Sequence, residues 1–284
     1  MRRISRRRFL GAAGALCSAA LADGFLREPT AIEVSRHDVP VPDLPAPLDG
    51  LRIACLTDVH LSGGVGRAAR AALARLAWER PEVVVLTGDI CNYRKDLPHL
   101  VAWAREVRGT MATVATLGNW EHDAGIDRRM GEQAYGRAGV ELLCNSAARV
   151  RVRGATLTLV GIDDPVSGSP DLAAALRGVS AGEQTVWLIH APAYVDGVPR
   201  NIGPRAAAIL AGHTHGGQIR LPFYTPYTPP GSGRFVAGWY RDTIAPLYVS
   251  RGIGTIVLPV RFFCPPELPV FTLRRRPAAG AGAT

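Results

Sequence analysis

Cysteine is scarce in this chain, and none of its five cysteines stand in pairs at the spacing of a zinc motif. The absence of such pairs argues against a zinc finger or a zinc ribbon. A Gly-x-Ser-x-Gly elbow is also absent, and the glycine-rich run at 63–66 lacks the Lys-Ser/Thr ending of a phosphate-binding loop. The sequence has no clear nucleic-acid-binding motif and no ladder of aromatic and basic residues, so no nucleic-acid partner is expected.

The first 22 residues predict an export signal rather than a core helix. Ser5-Arg6-Arg7-Arg8-Phe9-Leu10 is typical of a twin-arginine start, an apolar stretch continues to Leu21, and Ala20-Leu21-Ala22 offers a cleavage site. The apolar stretch is short for a membrane span, and a basic amphipathic tail is the alternative interpretation. We therefore expect export by the twin-arginine route to the periplasm or cell envelope.

Much of the positive charge belongs to this N-terminal segment. The formal net charge is +9, and it falls to +4 without residues 1–22, which contain five arginines and no acids. The remaining excess is too weak to predict nucleic-acid binding. It favours an anionic substrate or peripheral contact with an anionic membrane surface.

The order of predicted elements indicates an α/β protein. Between 51 and 143, apolar runs typical of strands alternate with segments of helical spacing, which predicts parallel strands joined by helical crossovers. A hairpin is predicted to turn at Gly154. Strands predicted near 235–240, 247–250 and 270–273 are expected to be antiparallel, in a second sheet packed on the first.

These patterns predict four segments along the chain. The tail is basic and then rich in Ala and Gly, which is typical of disorder. The segments are a twin-arginine signal peptide (1–22), an extended lead-in with an edge strand at 32–36 (23–50), one domain (51–273) and a disordered tail (274–284).

Five of the seven histidines stand in short polar motifs that follow apolar runs typical of strands. Open α/β sheets gather their ligands at the carboxyl ends of strands. Metal binding is the simplest physical reason to gather imidazole, carboxylate and amide groups there. The candidate metal ligands are Asp58, His60, Asp89, Asn119, His190, His213 and His215.

Each motif alone is a weak indication. A single Asp-x-His is usually structural, and a lone strand-end histidine such as His190 is more often a capped or core residue. Together, the segments indicate one common metal site. Asp58 and His60 can reach one ion if the backbone turns between them, and the Asp89 carboxylate can bridge two ions.

The set of motifs resembles the calcineurin-like metallophosphoesterases, whose pattern is D-x-H, G-D, G-N-H-[DE], a single His and G-H-x-H. The order is the same here over residues 51–217, and 216–222, 250–254 and 261–267 resemble an exported, phosphodiesterase-like bacterial branch of that family. The matching blocks are Asp58-Val59-His60, Gly88-Asp89, Gly118-Asn119-Trp120-Glu121, His190 and Gly212-His213-Thr214-His215.

This resemblance implies a four-layer α/β fold, a β-sandwich of mixed sheets flanked by helices, around two divalent metal ions (Mn, Fe or Zn). One ion would be held by Asp58, His60, Asp89 and His215. The other would be held by Asp89, Asn119, His190 and His213, so that Asp89 bridges. The residues themselves support these ligands but not that partition.

The sequence departs from the family pattern at Trp120, where the family usually has a histidine near the leaving group. Tryptophan has no acid–base capacity near neutral pH, which puts protonation of the leaving group in doubt. His122 is the hypothetical substitute, and a surface or supporting histidine is the alternative interpretation. The predicted catalytic residues are therefore His122 and Asn119.

The predicted activity is phosphoester hydrolysis, of phosphodiesterase or pyrophosphatase type, by a two-metal centre with a bridging hydroxide. Relatives in the branch and the expected export favour a cell-envelope or lipid-linked substrate, and a monomer is expected. The segment 222–233 is interpreted either as a lipid-facing lip beside the site or as a rigid loop packed on the second sheet. A metal-binding scaffold without catalysis and a zinc amidohydrolase, which usually needs another motif order, stay open as alternatives.

Overall fold

The computed structural model describes residues 6–276, in which the strands form two six-stranded mixed sheets. The strands are β1 (Glu33–Pro42), β2 (Arg52–Leu56), β3 (Val83–Thr87), β4 (Ala112–Thr116), β5 (Glu141–Leu142), β6 (Ser146–Val152), β7 (Ala155–Gly161), β8 (Gln184–Leu188), β9 (Ala206–Ala211), β10 (Gly238–Tyr240), β11 (Leu247–Val249) and β12 (Glu267–Arg276). The first sheet has the order β1-β12-β2-β3-β4-β5, and the second has the order β10-β11-β9-β8-β7-β6.

Six α-helices lie outside the sheets in the described part of the chain. They are α1 (Arg6–Ala22), α2 (Arg67–Glu79), α3 (Leu97–Ala104), α4 (Asn119–Asp123), α5 (Arg128–Arg137) and α6 (Leu172–Ala175). A buried apolar cluster joins α2, α3 and α5 to the first sheet, whereas α6 and short segments cover the second.

The core between the sheets follows from the alternation of side chains along each strand. In β2, Ile53 and Cys55 point into the cluster between the two sheets, while Ala54 and Leu56 join the cluster under the helices. The layers are therefore helix, sheet, sheet and helix. This arrangement confirms the predicted four-layer α/β fold with mixed sheets.

Parallel pairing brings the ends of the central strands to common edges. β2, β3 and β4 are parallel neighbours in the first sheet, and β7, β8 and β9 are parallel neighbours in the second. The segments that leave the carboxyl ends of these strands therefore meet where the two sheets adjoin.

The predicted domain boundaries at 23–50 and 274–284 need correction. The lead-in carries the ten-residue strand β1, which pairs in parallel with β12, and Val39 and Val41 are buried in the core between the sheets. The strand β12 continues through Arg276, so the predicted tail begins too early; residues 277–284 lie outside the described part of the chain.

The predicted arrangement of the late strands was wrong in two respects. β12 belongs to the first sheet, where it is antiparallel to β2 but parallel to β1, and β11 is parallel to β9. Only β10 and β11 form the expected antiparallel pair. The hairpin of β6 and β7 is as predicted, because Arg153 and Gly154 both adopt the left-handed backbone that a tight turn between strands requires.

The described side chains of α1 are exposed except for the half-buried Ala20, and its continuation to Thr30 is hydrogen-bonded to the domain. By length and composition, Arg6–Thr30 could cross a membrane, as could many signal sequences. Beyond Ala22, the carbonyl of Gly24 accepts a hydrogen bond from the Arg261 N–H at 3.0 Å, and the Glu28 carboxylate accepts one from the Cys264 N–H at 2.5 Å.

Candidate metal centre

All seven candidate ligands are brought together from the ends of five strands. Asp58 and His60 follow β2, Asp89 follows β3 and Asn119 follows β4 in the first sheet. His190 follows β8 in the second sheet, and His213 and His215 follow β9. Six of these side chains are buried and Asn119 is half-buried.

One group of possible ligands consists of Asp58, His60 and His215. The Nε2 atoms of His60 and His215 lie 3.0 Å apart, and Nε2 of His215 lies 3.4 Å from Oδ1 of Asp58. The three ligand atoms all lie within 4.8 Å of one another, so a single cation could contact all of them.

The second group consists of Asp89, His190 and His213, with Asn119 beside it. Nε2 of His190 lies 3.1 Å from Oδ2 of Asp89 and 3.2 Å from Nδ1 of His213. The amide oxygen of Asn119 lies 3.2 Å from Nε2 of His190 and 3.1 Å from Nδ1 of His213. A carboxylate, an amide oxygen and two imidazoles thus converge on one point.

Asp89 lies between the two groups, and its two oxygens have different contacts. Oδ2 lies 3.7 Å from Nε2 of His60 in the first group and 3.1 Å from Nε2 of His190 in the second. Oδ1 accepts a hydrogen bond from the Trp120 N–H at 2.9 Å. One oxygen is therefore fixed by the backbone, and the other faces both groups.

Three of the four imidazoles are oriented by an acceptor on the side away from the site. Nδ1 of His60 donates to Oδ1 of Asn92 at 2.7 Å, and Nδ1 of His190 donates to the Thr87 carbonyl at 2.8 Å. Nε2 of His213 donates to the Pro230 carbonyl at 2.7 Å. Each ring therefore directs its other nitrogen into the site, which is the arrangement of metal-binding histidines.

The electrostatics of the site also suit cations. Burial, together with the neighbouring His60, holds the pKa of His215 well below its ordinary value, and burial lowers the pKa of His213. Both rings are thus neutral and can offer a lone pair. Burial alone would raise the pKa of Asp89, but the charge of His190 and its hydrogen bond lower it, so the carboxylate is ionised. The donor set fits borderline divalent cations.

The backbone turns sharply at five of the seven candidate ligands. Asp58, His60, Asp89, His213 and His215 all have positive φ angles, between 51° and 72°. This left-handed conformation costs a non-glycine residue on the order of 1–3 kcal/mol, and it persists only where the surroundings impose it. Clustering of such residues at one place is typical of a functional site.

Glycines allow the strand ends to approach one another. A Cβ atom at Gly212 would lie 2.1 Å from Oγ1 of Thr57 and 2.4 Å from Oδ2 of Asp58. A Cβ atom at Gly118 would lie 2.3 Å from Oδ1 of Asp89. Neither position can hold a side chain without moving a candidate ligand.

Glu121 supports the site. The sequence motif contains Glu121 but did not indicate this role. Its buried carboxylate accepts hydrogen bonds from the backbone N–H groups of Asp89, Ile90, Cys91 and Gly118, at 2.6–3.1 Å. Burial raises the pKa of Glu121 to about 7, and the four N–H groups oppose that rise. Glu121 therefore holds the loops after β3 and β4 together.

Trp120 stands beside the first group of ligands. Its ring meets the His60 imidazole edge-on, with the ring centroids 5.2 Å apart. The side chain that replaces the usual histidine of the family pattern is thus a packing partner of a candidate ligand.

His122 does not contact a candidate ligand by any hydrogen bond in the described part of the chain. Its Nε2 lies 2.8 Å from Oδ1 of Asp163, and the hydrogen bond to Asp163 raises the pKa of His122. Sequence reasoning missed Asp163 and its neighbour Asp164, although they follow β7 as the other motifs follow their strands. Asp164 is buried, and its Oδ1 atom has no hydrogen-bond partner among the described residues.

Comparison with known proteins agrees with this geometry. The family model of the calcineurin-like phosphoesterases matches residues 51–217. The chain is 30% identical to the uncharacterized metallophosphoesterase YkuE of Bacillus subtilis, over 96% of this chain and 99% of that protein. It is 29% identical to the phosphodiesterase YaeI of Escherichia coli, over 95% and 99% of the two chains.

Among solved structures, the chain is similar to the sulfate thiohydrolase SoxB of Thermus thermophilus, with 17% identity and a TM-score of 0.46, over 82% of this chain and 58% of that one. The family assignment depends on the sequence matches alone. The matched range holds every candidate metal ligand, and the family is metal-dependent. This chain belongs to the calcineurin-like phosphoesterases.

Proposed function

We propose that this protein is an exported phosphoester hydrolase that uses two divalent cations and acts on a cell-envelope or lipid-linked phosphodiester or pyrophosphate. The position of Asp89 is the observation that carries the two-metal proposal. One of its oxygens lies within 3.7 Å of ligand nitrogens from both groups, and each group has its own further donors. A single cation would leave one of these sets of buried donors without a partner.

The residues of the chain would hold the cations and position the substrate. Asp58, His60 and His215 would hold one ion, His190, His213 and Asn119 the other, and Asp89 both. When bound, the cations would activate a water molecule near neutral pH and neutralise charge on the phosphoryl oxygens. The Asn119 amide nitrogen donates no hydrogen bond within residues 6–276, so it is available to a phosphoryl oxygen.

The leaving group needs a proton donor, and His122 is the proposed one. Asp163 stabilises the charged form of its ring, so that His122 is protonated over a wider range of pH than a free histidine. Since His122 contacts Asp163 rather than a candidate ligand, a substrate would have to extend to it from the metal centre.

Metal analysis of the purified protein coupled to an assay tests the proposal. We expect about two equivalents of Mn, Fe or Zn per chain and hydrolysis of a bis-aryl phosphate that a chelator abolishes and manganese restores. The matched control is Glu79→Gln, which alters a buried carboxylate that is ion-paired with Arg36 and Arg52 outside the site. A pure protein that takes up only trace metal contradicts the proposal.

The second candidate function is a metal-binding scaffold that has lost catalysis. Trp120 favours it, because this side chain packs on His60 where a proton-transferring histidine is usual. The same experiment separates the two functions. A protein with two bound metal ions and no turnover on any mono- or diester of the panel supports the scaffold.

A further inference from the structure

Two loops beside the metal centre expose large apolar side chains. We define the apolar face as Leu221, Phe223, Tyr224 and Tyr227 on one loop, and Val257, Leu258 and Phe263 on the other. The solvent-accessible area of each residue is between 47% and 108% of the reference value for a fully exposed residue of its type. A cluster of this kind is unusual on a soluble surface and marks a site of interaction.

The apolar face continues inward to the metal centre. A cavity of about 340 Å³ lies between the two loops, and its lining includes Tyr227, Val257 and Leu258 as well as the candidate ligand His215. The cavity therefore joins the apolar face to a candidate metal ligand.

The apolar face also continues to the end of α1. A second cavity, with an entirely apolar lining, contains Leu21 and Phe25 of the N-terminal segment and shares Ile219 and Leu258 with the first cavity. Phe25 and Leu26 are exposed here as well. One apolar surface thus extends from the helix to the rim of the metal centre.

The link between α1 and the apolar face is firm. The carbonyl of Gly24 accepts the Arg261 N–H, and the Glu28 carboxylate accepts the N–H groups of Phe263 and Cys264. A Cβ atom at Gly24 would lie 3.1 Å from the Arg261 carbonyl, so the two segments pack closely. The orientation of the helix therefore fixes the orientation of the face.

The charges on the two loops suit an anionic surface. Residues 219–230 and 253–266 contain no Asp or Glu. Arg220 lies on the first of these segments, and its guanidinium makes no hydrogen bond or ion pair within the described part of the chain. Basic side chains that flank an apolar surface favour contact with anionic lipid headgroups.

The backbone directs three of the apolar side chains outward. Phe223, Val257 and Phe263 have φ angles of 68°, 59° and 51°, a conformation that bulky or β-branched residues rarely adopt. Each therefore carries backbone strain at a position where the residue is exposed.

We propose that the apolar face docks on a lipid bilayer, with α1 retained uncleaved as the adjoining membrane anchor, so that the metal centre opens at the bilayer surface. The candidate membrane-spanning segment, Arg6–Thr30, supplies Leu21 and Phe25 to the apolar cavity, and this continuity identifies a bilayer as the occupant rather than another protein. The inference does not depend on hydrolysis.

Depth-dependent fluorescence quenching in vesicles tests the proposal. The full-length chain, with Cys17→Ala, receives one reactive cysteine by Phe223→Cys or Val257→Cys; the cysteines of the domain are buried. A polarity-sensitive dye is attached, and the protein is reconstituted into phosphatidylglycerol vesicles whose acyl chains carry nitroxide. We expect the emission at both positions to fall by about half or more, because docked side chains reach the acyl boundary.

The matched control is Met111→Cys. Met111 is exposed and precedes β4, at the edge of the sheet opposite the metal centre, so its dye should stay unquenched. In a second variant, Phe223→Ser with Val257→Asp, a dye at Tyr227→Cys should lose its quenching, while an unchanged metal content shows that the centre is intact.

Three results would overturn the proposal. If the protein binds vesicles but the dyes at 223 and 257 are quenched no more than the dye at 111, then α1 alone binds the membrane and the apolar face does not contact it. A blue-shifted dye that nitroxide does not quench would mean that a second copy of the chain covers the face. Quenching at 227 that survives the double substitution would show that these side chains do not hold the face to the lipid.

Discussion

At the scale of single residues, the two carboxylate oxygens of Asp89 have different roles: one is held by the backbone and the other faces the candidate ligands. Oδ1 is held by the Trp120 N–H, and Oδ2 faces His60 and His190. A carboxylate can accept from the backbone through one oxygen and face both groups through the other, whereas an amide is neutral and has one acceptor oxygen.

Asp89→Asn should therefore abolish detectable activity and weaken metal binding at both groups. The amide would turn its N–H₂ group either towards both groups of ligands or towards the Trp120 N–H, and it carries no charge in either orientation. Metal content and turnover on a bis-aryl phosphate, each compared with Glu79→Gln, measure the effect. Near-normal turnover with two ions bound would exclude Asp89 as the bridging residue.

Glu121→Ala should destabilise the protein strongly, because it leaves four backbone N–H groups without their acceptor. Each buried unsatisfied donor costs about 1–3 kcal/mol, so a total loss of several kcal/mol in the free energy of unfolding is expected. Glu121→Gln, which keeps one acceptor oxygen, should lose less. Equal denaturant midpoints for the two variants would show that the carboxylate is not what joins the loops.

The His122–Asp163 pair should make stability depend on pH in both directions. Burial alone would raise the pKa of Asp163, but the hydrogen bond from His122 lowers it to about 2, while the same bond raises the pKa of His122. Asp163 therefore stabilises the fold above the pKa of a free aspartate, and this contribution is lost as pH falls towards 2. His122 stabilises the fold below its ordinary pKa of 6.5, and this contribution is lost as pH rises through its raised value.

Asp163→Asn should accordingly lower the unfolding free energy more at pH 5.5 than at pH 9, with pH 5.5 chosen to lie between the ordinary pKa values of the two groups. Urea unfolding at both pH values measures the difference. The same loss at both pH values would mean that the two side chains are not an ion pair.

At the scale of elements, the turns that follow the strands decide where the ligands meet. The sequence motif after β9 contains His213 and His215, but their convergence needs left-handed backbone at both residues and a glycine at 212. The backbone N–H of His213 also donates to both oxygens of Asp58, at 3.0 and 2.9 Å. These hydrogen bonds therefore join the loop after β9 directly to the loop after β2.

Gly212→Ala should displace Asp58 and so reduce metal binding in the first group more than the stability of the sheet. Its methyl group would lie only 2.4 Å from Oδ2 of Asp58 and 2.1 Å from Oγ1 of Thr57. Metal content and thermal unfolding of the metal-free protein separate the two effects. Gly136→Ala, in α5, is the matched control, because a Cβ atom there meets nothing within 4 Å.

At the scale of the whole molecule, the metal centre lies where the two sheets adjoin and so should couple their stabilities. Imidazoles from both sheets and carboxylates from the first sheet are buried there. Ligand binding to the folded state alone stabilises it by about 2.7 kcal/mol at a hundredfold excess over Kd.

Removal of the metal by a chelator should therefore lower the melting temperature by about 5–10 °C, given about 2–4 °C per kcal/mol for a domain of this size. Differential scanning calorimetry before and after addition of manganese checks this. The Asp89→Asn variant should show little response to either treatment. An identical melting temperature for the metal-loaded and metal-free protein would count against a folded-state site for cations.

Much of the fold could be predicted because the periodicity of apolar residues is local. The run Val83–Thr87 is buried on both faces, as its continuous apolar pattern indicates for a central parallel strand, and α2 lies between two such strands, as the alternation predicts. The strand β1 was underestimated, because its prolines and alternating polar residues are typical of a lead-in. Its place beside β12 depends on a pairing across more than 200 residues.

The sequence by itself determined the family, the strand-and-helix order and the residue types offered at each strand end, since these depend on neighbours in the chain. Only the tertiary structure decided that the donors form two groups around Asp89, that Glu121 joins two loops, and that His122 pairs with Asp163. It also placed the exposed residues of 221–227 and 257–263 beside α1. Such proximities come from the packing of two sheets, and no local pattern encodes which distant turns will touch.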